Sequence, residues 1–174
     1  MTMIEILQLE EAATLAAIDE LSSLFSQCVD GGASMGFMAP FPPEQAAVYW
    51  FEVAKSVGRN DLILLVARLN GRIEGTVQLG IATPPNQPHR ADIKKLMVSP
   101  AARGHGLSRA LMDAAETTAL KAGRSLLVLD TATGEPAEKI YEHLGWVRSG
   151  TIPNYALFPD GRFCDTTIFY KQLA

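Results

Sequence analysis

Residues 96–116 read LMVSPAARGHGLSRALMDAAE, and their hydrophobic pattern changes at Ser99-Pro100. Apolar residues precede this dipeptide, glycines between two arginines follow it, and apolar residues then recur at helical spacing. We therefore predict a strand over ADIKKLMV (residues 91–98), a turn, and a helix that runs from Gly104 to a stop at Gly123. The rest of the fold is predicted outward from this strand-turn-helix unit.

Before this unit, the sequence predicts a strand, two helices and a hairpin. The strand covers Ile4 to Leu9, and an amphipathic helix continues to Cys28. A second helix is predicted over residues 43–57, and Asn70-Gly71 joins two strand-like runs, which is a strong hairpin signal. The loop from Gly31 to Phe41 is rich in glycine and proline yet carries methionines and phenylalanines, so we expect it to form a lid or pocket wall.

After the unit, SLLVLD (residues 125–130) has the continuous apolar character of a buried central strand. A short helix over residues 135–144 and a final strand within residues 161–173 complete the chain. Hairpin strands followed by a strand-helix-strand unit indicate a mixed, partly antiparallel sheet with helices on both faces. We predict an α/β fold of the α+β type, built as a single domain over residues 1–174.

Composition limits the classes of function. The chain has 174 residues, of which 48% are hydrophobic, so one core is expected. A net charge of −4 argues against a nucleic-acid-binding face. The two cysteines form no CxxC pair and the histidines do not cluster, so we expect neither a disulfide framework nor a metal site. No membrane-length apolar run or secretion signal is visible, so we expect a cytoplasmic protein with a small-molecule partner and no membrane contact.

The glycine-rich turn predicts a phosphate site. A helix that starts just after a strand presents unpaired N–H groups, and Gly104 and Gly106 let a phosphate approach the backbone closely. Arg103 and Arg109 add charge, and Ser108 adds a hydroxyl donor. The turn lacks the Gly-Lys-Ser/Thr of a P-loop, and Arg109 stands where the dinucleotide motif needs a glycine. A helix that merely begins with glycines is the alternative interpretation.

Two segments together resemble the GNAT superfamily of acyl-CoA-dependent N-acetyltransferases. They are LMVSPAARGHGLSRALMDAAE and the later AEKIYEHLGW (residues 137–146), which is similar to the family's Ala-x-x-x-Tyr-x-x-x-Gly-aromatic pattern. Two departures occur: Ser108 replaces a usual glycine or alanine, and Gly134 replaces an asparagine common in the family.

The resemblance implies a GNAT-like fold, acetyl-CoA as the donor and no metal. It implies that the turn wraps the coenzyme A pyrophosphate and that backbone N–H groups near the end of the preceding strand orient the thioester. The expected cofactor-binding residues are Met97, Val98, Arg103, Gly104, His105, Gly106, Leu107, Ser108 and Arg109.

Three catalytic residues are expected. If the strands that carry Asp92 and Asp130 splay apart, both carboxylates can line the acceptor cleft and remove a proton from an ammonium group. A turn cap for Asp130 and a solvated edge position for Asp92 are equally open. The resemblance assigns Tyr141 as the acid that protonates the leaving sulfur, while its apolar helical neighbours also allow a buried structural tyrosine. Neither cysteine has an activating context, so we expect direct transfer without an acetyl-enzyme.

Three functions remain open. The first is acetyl transfer to a small amine, because GGASMGFMAP (residues 31–40) and the closing segment resemble family members that acetylate an amino-acid-like antimetabolite. The second is acetylation of a protein amino terminus or lysine. The third is a non-catalytic acyl-CoA sensor. A homodimer is also considered, although no interface is identified in the sequence.

Overall fold

The computed structural model describes residues 3–174, whose strands form one seven-stranded sheet in the order β1-β2-β3-β4-β5-β7-β6. Neighbouring strands are antiparallel except for β4 and β5, which pair in parallel. The strands are β1 (Ile4–Leu9), β2 (Leu62–Leu69), β3 (Arg72–Gly80), β4 (Arg90–Val98), β5 (Leu126–Ala132), β6 (Val147–Leu157) and β7 (Phe163–Gln172). The mixed, partly antiparallel sheet predicted from the sequence is confirmed.

Helices cover both faces of the sheet, as predicted. They are α1 (Glu11–Ala16), α2 (Ile18–Asp30), α3 (Pro43–Gly58), α4 (Leu107–Lys121) and α5 (Pro136–His143). Buried residues of α4 and α5 form one hydrophobic cluster with the sheet, and buried residues of α2 and α3 form a second cluster with it. Each helix pair therefore buries its apolar stripe against the sheet, which separates an α4 face from an α2 face.

The predicted hairpin is confirmed in its geometry. Asn70 and Gly71 have φ values of 52° and 86° between β2 and β3. A two-residue turn with both φ angles positive matches the right-handed twist of the strands, and asparagine and glycine tolerate it best.

Two helices and one strand differ from the sequence predictions. The first helix is interrupted at Ala17, where φ is −97° and ψ is 7°. Helix α4 begins at Leu107 rather than Gly104, because Gly104 and Gly106 have φ values of 81° and 82° that a right-handed helix cannot contain. Residues 147–157 form the unpredicted strand β6. This edge strand is exposed along its whole length, so it has no alternation of buried and exposed residues.

A bulge in β4 opens the sheet. Gln78 of β3 pairs with Lys94 and Thr76 pairs with Met97, so two residues of β4 oppose one of β3. Lys95 in this bulge has a φ of 52°. The β4–β5 pairing stops just before the bulge, at Asp92 and Val128. A bulge bends its strand, so β4 and β5 diverge and leave a wedge-shaped cleft between their remaining residues.

Candidate active site

The glycine turn lies at the open end of β4. A short 3₁₀ turn, Pro100–Ala102, connects β4 to it, and buried Leu107 anchors the start of α4. A Cβ placed on Gly104 or Gly106 would meet no atom within 4 Å, so the space above both glycines is open. His105 turns its ring back, with Nδ1 3.1 Å from the carbonyl oxygen of Ala102. The backbone of the turn, rather than the imidazole, therefore faces this space.

The donor groups of the turn are suited to an anion. Gly106 precedes α4, and no side chain caps the first N–H groups of the helix. These groups and the helix dipole attract negative charge. Arg103 and Arg109 are both exposed beside them. An open glycine cradle, free backbone donors and two guanidinium groups fit the diphosphate of coenzyme A, as the resemblance implies.

The cleft between β4 and β5 continues from this turn. Beyond Asp92 and Val128, the facing edges of the two strands have no strand partner among the described residues. Unpaired strand edges can hydrogen-bond an extended chain that carries amide groups. Met97 and Val98 lie on this part of β4, Met97 buried on the α2 face and Val98 packed on the α4 face. The side chains of this segment thus point to both faces of the sheet.

Asp130 is exposed on β5, two residues beyond the last pairing with β4. The Thr166 hydroxyl donates a hydrogen bond to its Oδ2 over 3.0 Å, which fixes the carboxylate without neutralising it. Asp130 is also close enough to Tyr141 and Lys95 to affect the pKa of each. The structure therefore places a carboxylate with no ion-pair partner among the described residues within electrostatic reach of a phenol and a lysine.

Tyr141 lies on α5 and is only 5% exposed. Its ring packs against Trp146 and Phe169, with ring centroids 6.0 and 5.7 Å away. Burial, and secondarily the negative charge of Asp130, raises the pKa of this phenol above its ordinary value. Tyr141 therefore keeps its proton at neutral pH.

Asp92 occupies a different environment from Asp130. It is the last residue of β4 paired with β5, and its carboxylate forms an ion pair with Arg90 on the same strand. The Arg90 guanidinium already balances the charge of the Asp92 carboxylate. Asp92 lies at the closed end of the cleft, where β4 and β5 still pair. Asp130 is the less neutralised of the two carboxylates.

The loop from Gly31 to Phe41 covers the α2 face of the cleft. Phe37 and Phe41 pack against Phe25, with ring centroids 5.3 and 5.0 Å away. The loop also bonds the β6–β7 hairpin: the Ser34 hydroxyl donates to the Leu157 carbonyl, and the Ala39 N–H donates to the Pro159 carbonyl. Loop and hairpin together enclose one side of the cleft.

Lys95 is a residue of this region that the sequence predictions missed. Its Nζ donates a hydrogen bond to the Met35 carbonyl oxygen over 2.9 Å, and it lies 5.7 Å from the centre of the Tyr49 ring. The available signal was the pair Lys94-Lys95, which breaks the alternation of polar and apolar residues along β4 and marks the bulge.

The thiol of Cys28 is ill suited to nucleophilic chemistry at neutral pH. Cys28 and Cys164 are both buried. Burial raises the pKa of the Cys28 thiol to about 11, although Arg103 opposes the shift. His89 and His143 are exposed. Among residues 3–174, no three His, Cys, Asp or Glu side chains cluster as they would to hold a metal ion. No helix in that range is long and apolar enough to cross a membrane.

Comparison with solved structures identifies the fold. An N-acetyltransferase from Staphylococcus aureus Mu50 superposes with a TM-score of 0.81, at 18% identity, over 99% of both chains. The protein yncA from Salmonella typhimurium, solved with its cofactor acetyl-CoA, superposes with a TM-score of 0.78, at 20% identity, over 98% of this chain and 94% of its own.

Sequence comparison identifies the family. An uncharacterized N-acetyltransferase in the hisH-hisA intergenic region of Azospirillum brasilense is 36% identical over 115 residues, which cover 65% of this chain and 67% of the relative. The profile of the Acetyltransferase (GNAT) family matches residues 20–146. Fold, profile and relatives agree, and the chain belongs to the GNAT family of acetyltransferases.

Proposed function

We propose that this chain transfers the acetyl group of acetyl-CoA to the amine of a small, amino-acid-like molecule in the cytoplasm. One observation carries the proposal: an open, uncapped glycine turn follows β4 just beyond the point where the facing edges of β4 and β5 stop pairing. The loop from Gly31 to Phe41 supports a small acceptor because it encloses the α2 side of the cleft. Its sequence and the closing segment resemble the tabtoxin resistance protein, which supports inactivation of an antimetabolite as the role.

Acetyl-CoA supplies an activated acetyl thioester. Arg103, Arg109 and the backbone of Gly104 to Ser108 are proposed to hold its diphosphate, and the N–H groups near Met97 and Val98 to orient the thioester. Asp130 takes a proton from the acceptor's ammonium group, directly or through a water, and so leaves a neutral amine that can form the new C–N bond. As the C–S bond breaks, Tyr141 gives its proton to the departing sulfur.

Asp92 has a secondary place in this mechanism. Its carboxylate is already paired with Arg90, so we assign Asp92 to the acceptor side of the cleft rather than to proton removal. The raised pKa of Cys28 supports direct transfer between donor and acceptor, since a protonated thiol is a poor nucleophile.

The first test of the proposal is thermal stability with acetyl-CoA, ATP or NAD at matched concentrations, followed by an acceptor screen that detects free coenzyme A. A ligand that binds only the folded state raises the melting temperature. We expect acetyl-CoA alone to do so, and small amines to be acetylated. A larger shift with ATP or NAD would contradict the donor site. Binding without turnover of any amine would favour a sensor, and turnover of peptides alone would favour a protein acceptor.

Substitutions of the catalytic candidates test the mechanism. We expect Asp130→Asn to lower kcat by roughly 100-fold or more, because the carboxylate that removes the proton is lost, while the stabilisation by acetyl-CoA remains. Asp92→Asn should have a smaller effect, and Tyr141→Phe should lower kcat with little change in KM. Asp113→Asn, at an exposed position of α4, is the matched control. Full kcat in Asp130→Asn or Tyr141→Phe would remove that residue from the mechanism.

The homodimer also remains part of the proposal. Strand β6 is an exposed edge strand whose Val147, Ile152, Tyr155 and Leu157 are each at least 40% exposed. An exposed edge with apolar side chains is a common site of pairing between chains. Light scattering would measure the mass in solution, and a monomeric mass at micromolar concentration would exclude the dimer.

A further inference from the structure

The proposed mechanism gives no role to the cationic side chain of Lys95. The bulge of β4 gives its backbone a φ of 52°, a left-handed conformation that is uncommon for a residue with a side chain. Bulges beside active sites often redirect a side chain. Here the Lys95 side chain reaches the α2 face, where Nζ lies between the Met35 carbonyl oxygen at 2.9 Å and the rings of Phe25 and Tyr49 at 5.9 and 5.7 Å.

The ammonium group of Lys95 has no anionic partner among the described residues. It has three N–H donors, and the Met35 carbonyl is its only hydrogen-bond partner among the described residues. No carboxylate of residues 3–174 lies within salt-bridge distance of it. Burial first, and then the charge of Lys94, lowers its pKa, and Asp130 opposes that change. A partly buried ammonium with two free donors gains most from an anionic ligand.

Asp130 completes the charge pattern. It is close enough to Lys95 to favour the charged form of the lysine, yet the two side chains make no ion pair. A negative and a positive group that are near each other but separate match the ammonium and carboxylate ends of a zwitterion. Tyr49 lies on the same side of Lys95. Its hydroxyl donates a hydrogen bond to Gln78 Oε1 over 3.2 Å and accepts one from Gln78 Nε2 over 3.1 Å, which holds the side chain in place.

We propose that Lys95 binds a carboxylate of the acceptor, so that the acceptor is a free amino acid or a close analogue whose amine faces Asp130. This inference rests on the proposed acetyl transfer and narrows its substrate class. A peptide amino terminus carries no carboxylate beside its amine, and an amine without a carboxylate leaves Lys95 unpaired. Lys95 is thereby a specificity-determining residue of the acceptor site.

The test compares acceptors that differ only in the carboxylate. The panel contains the common α-amino acids, β-alanine and γ-aminobutyrate, each beside its carboxamide and its decarboxylated amine. We expect the wild-type protein to prefer the carboxylated member of at least one set. Lys95→Gln should lower kcat/KM for that member by roughly 10- to 100-fold, mainly through KM, and change the value for the carboxamide less than about 3-fold.

Controls separate this role from a structural one. Lys94→Gln removes the neighbouring exposed charge and should keep the wild-type preference. Stabilisation of Lys95→Gln by acetyl-CoA shows that the variant is folded and that its donor site is intact. Equal losses for the carboxylated and carboxamide acceptors, or no wild-type preference for a carboxylate, would overturn the inference while acetyl transfer to amines stands. Failure of acetyl-CoA to stabilise the wild-type protein would instead contradict the proposed function itself.

Discussion

At the scale of single residues, the backbone conformation explains why particular positions are occupied by glycine. Gly104 and Gly106 have positive φ values and open space where a Cβ would stand, so nothing inside the chain requires them to be glycine except the conformation itself. The same holds for Gly123, at the opposite end of α4, with a φ of 74°. Substitutions at the two ends of α4 can therefore distinguish the effect of backbone strain from the effect of ligand contact.

This pair supports a matched prediction. Gly106→Ala and Gly123→Ala should each lower the free energy of unfolding by about 1 kcal/mol, because each places a Cβ in the left-handed region. Only Gly106→Ala should also weaken acetyl-CoA binding, by roughly 10-fold or more, because its Cβ would project toward the bound diphosphate. Calorimetric titration measures the difference. Equal acetyl-CoA affinities of the two variants would mean that the diphosphate lies elsewhere.

At the scale of elements, the bulge in β4 and the early end of its pairing with β5 create the cleft. Three residue pairs join β4 to β5, from Arg90 with Leu126 to Asp92 with Val128, whereas β5 pairs with β7 over its whole length. Backbone groups on the diverging edges are therefore satisfied by solvent or by a ligand.

Hydrogen exchange should detect this arrangement. We expect acetyl-CoA to slow amide exchange in residues 93–98 and 103–109, because the ligand covers the free edge of β4 and the start of α4. The β2–β3 hairpin should exchange at an unchanged rate, which makes it an internal control. Mass spectrometry with acetyl-CoA and with ATP at equal concentration provides the measurement. Uniform protection, or protection by ATP as well, would contradict a specific site in the cleft.

At the scale of the whole molecule, the buried thiol of Cys28 links α2 to the end of β4. This thiol of α2 is 2% exposed and donates a hydrogen bond to the Val98 carbonyl oxygen over 3.6 Å. Burial raises its pKa to about 11, against an ordinary value near 9. Between these values the unfolded chain loses the proton and the folded chain keeps it, so the free energy of unfolding falls as pH rises.

Cys28→Ala should remove this part of the alkaline destabilisation. Between pH 8 and pH 10.5, the variant should lose roughly 2 kcal/mol less unfolding free energy than the wild-type protein, at about 1.4 kcal/mol per pKa unit. The raised pKa of Tyr49, at about 12, acts in the same direction, and Lys95 acts in the opposite one, but both are common to the two proteins. Urea unfolding at the two pH values measures the difference. Leu24→Ala, a buried change on the same helix, should keep the wild-type pH dependence.

The sequence predicted the elements whose signals are local. Asn70-Gly71 indicates its hairpin because two neighbouring residues supply both positive φ angles. The turn from Arg103 to Arg109 indicates an anion site because glycines, helix start and charges are adjacent in the chain. Strand β6 escaped prediction because its exposure removes the alternation that marks a strand, and its pairing with β7 alone makes it one.

By itself, the sequence determined the family and the mixed sheet, since these depend on spacing within short segments. Only the tertiary structure decided how the side chains of the cleft differ. Asp92 and Asp130 are alike in the sequence, but one pairs with Arg90 while the other accepts a hydrogen bond from Thr166 and has no ion-pair partner among the described residues. The physical reason is that the charge balance of a side chain depends on the contacts it makes in the folded chain, and β5 reaches Asp130 only after its pairing with β4 has ended.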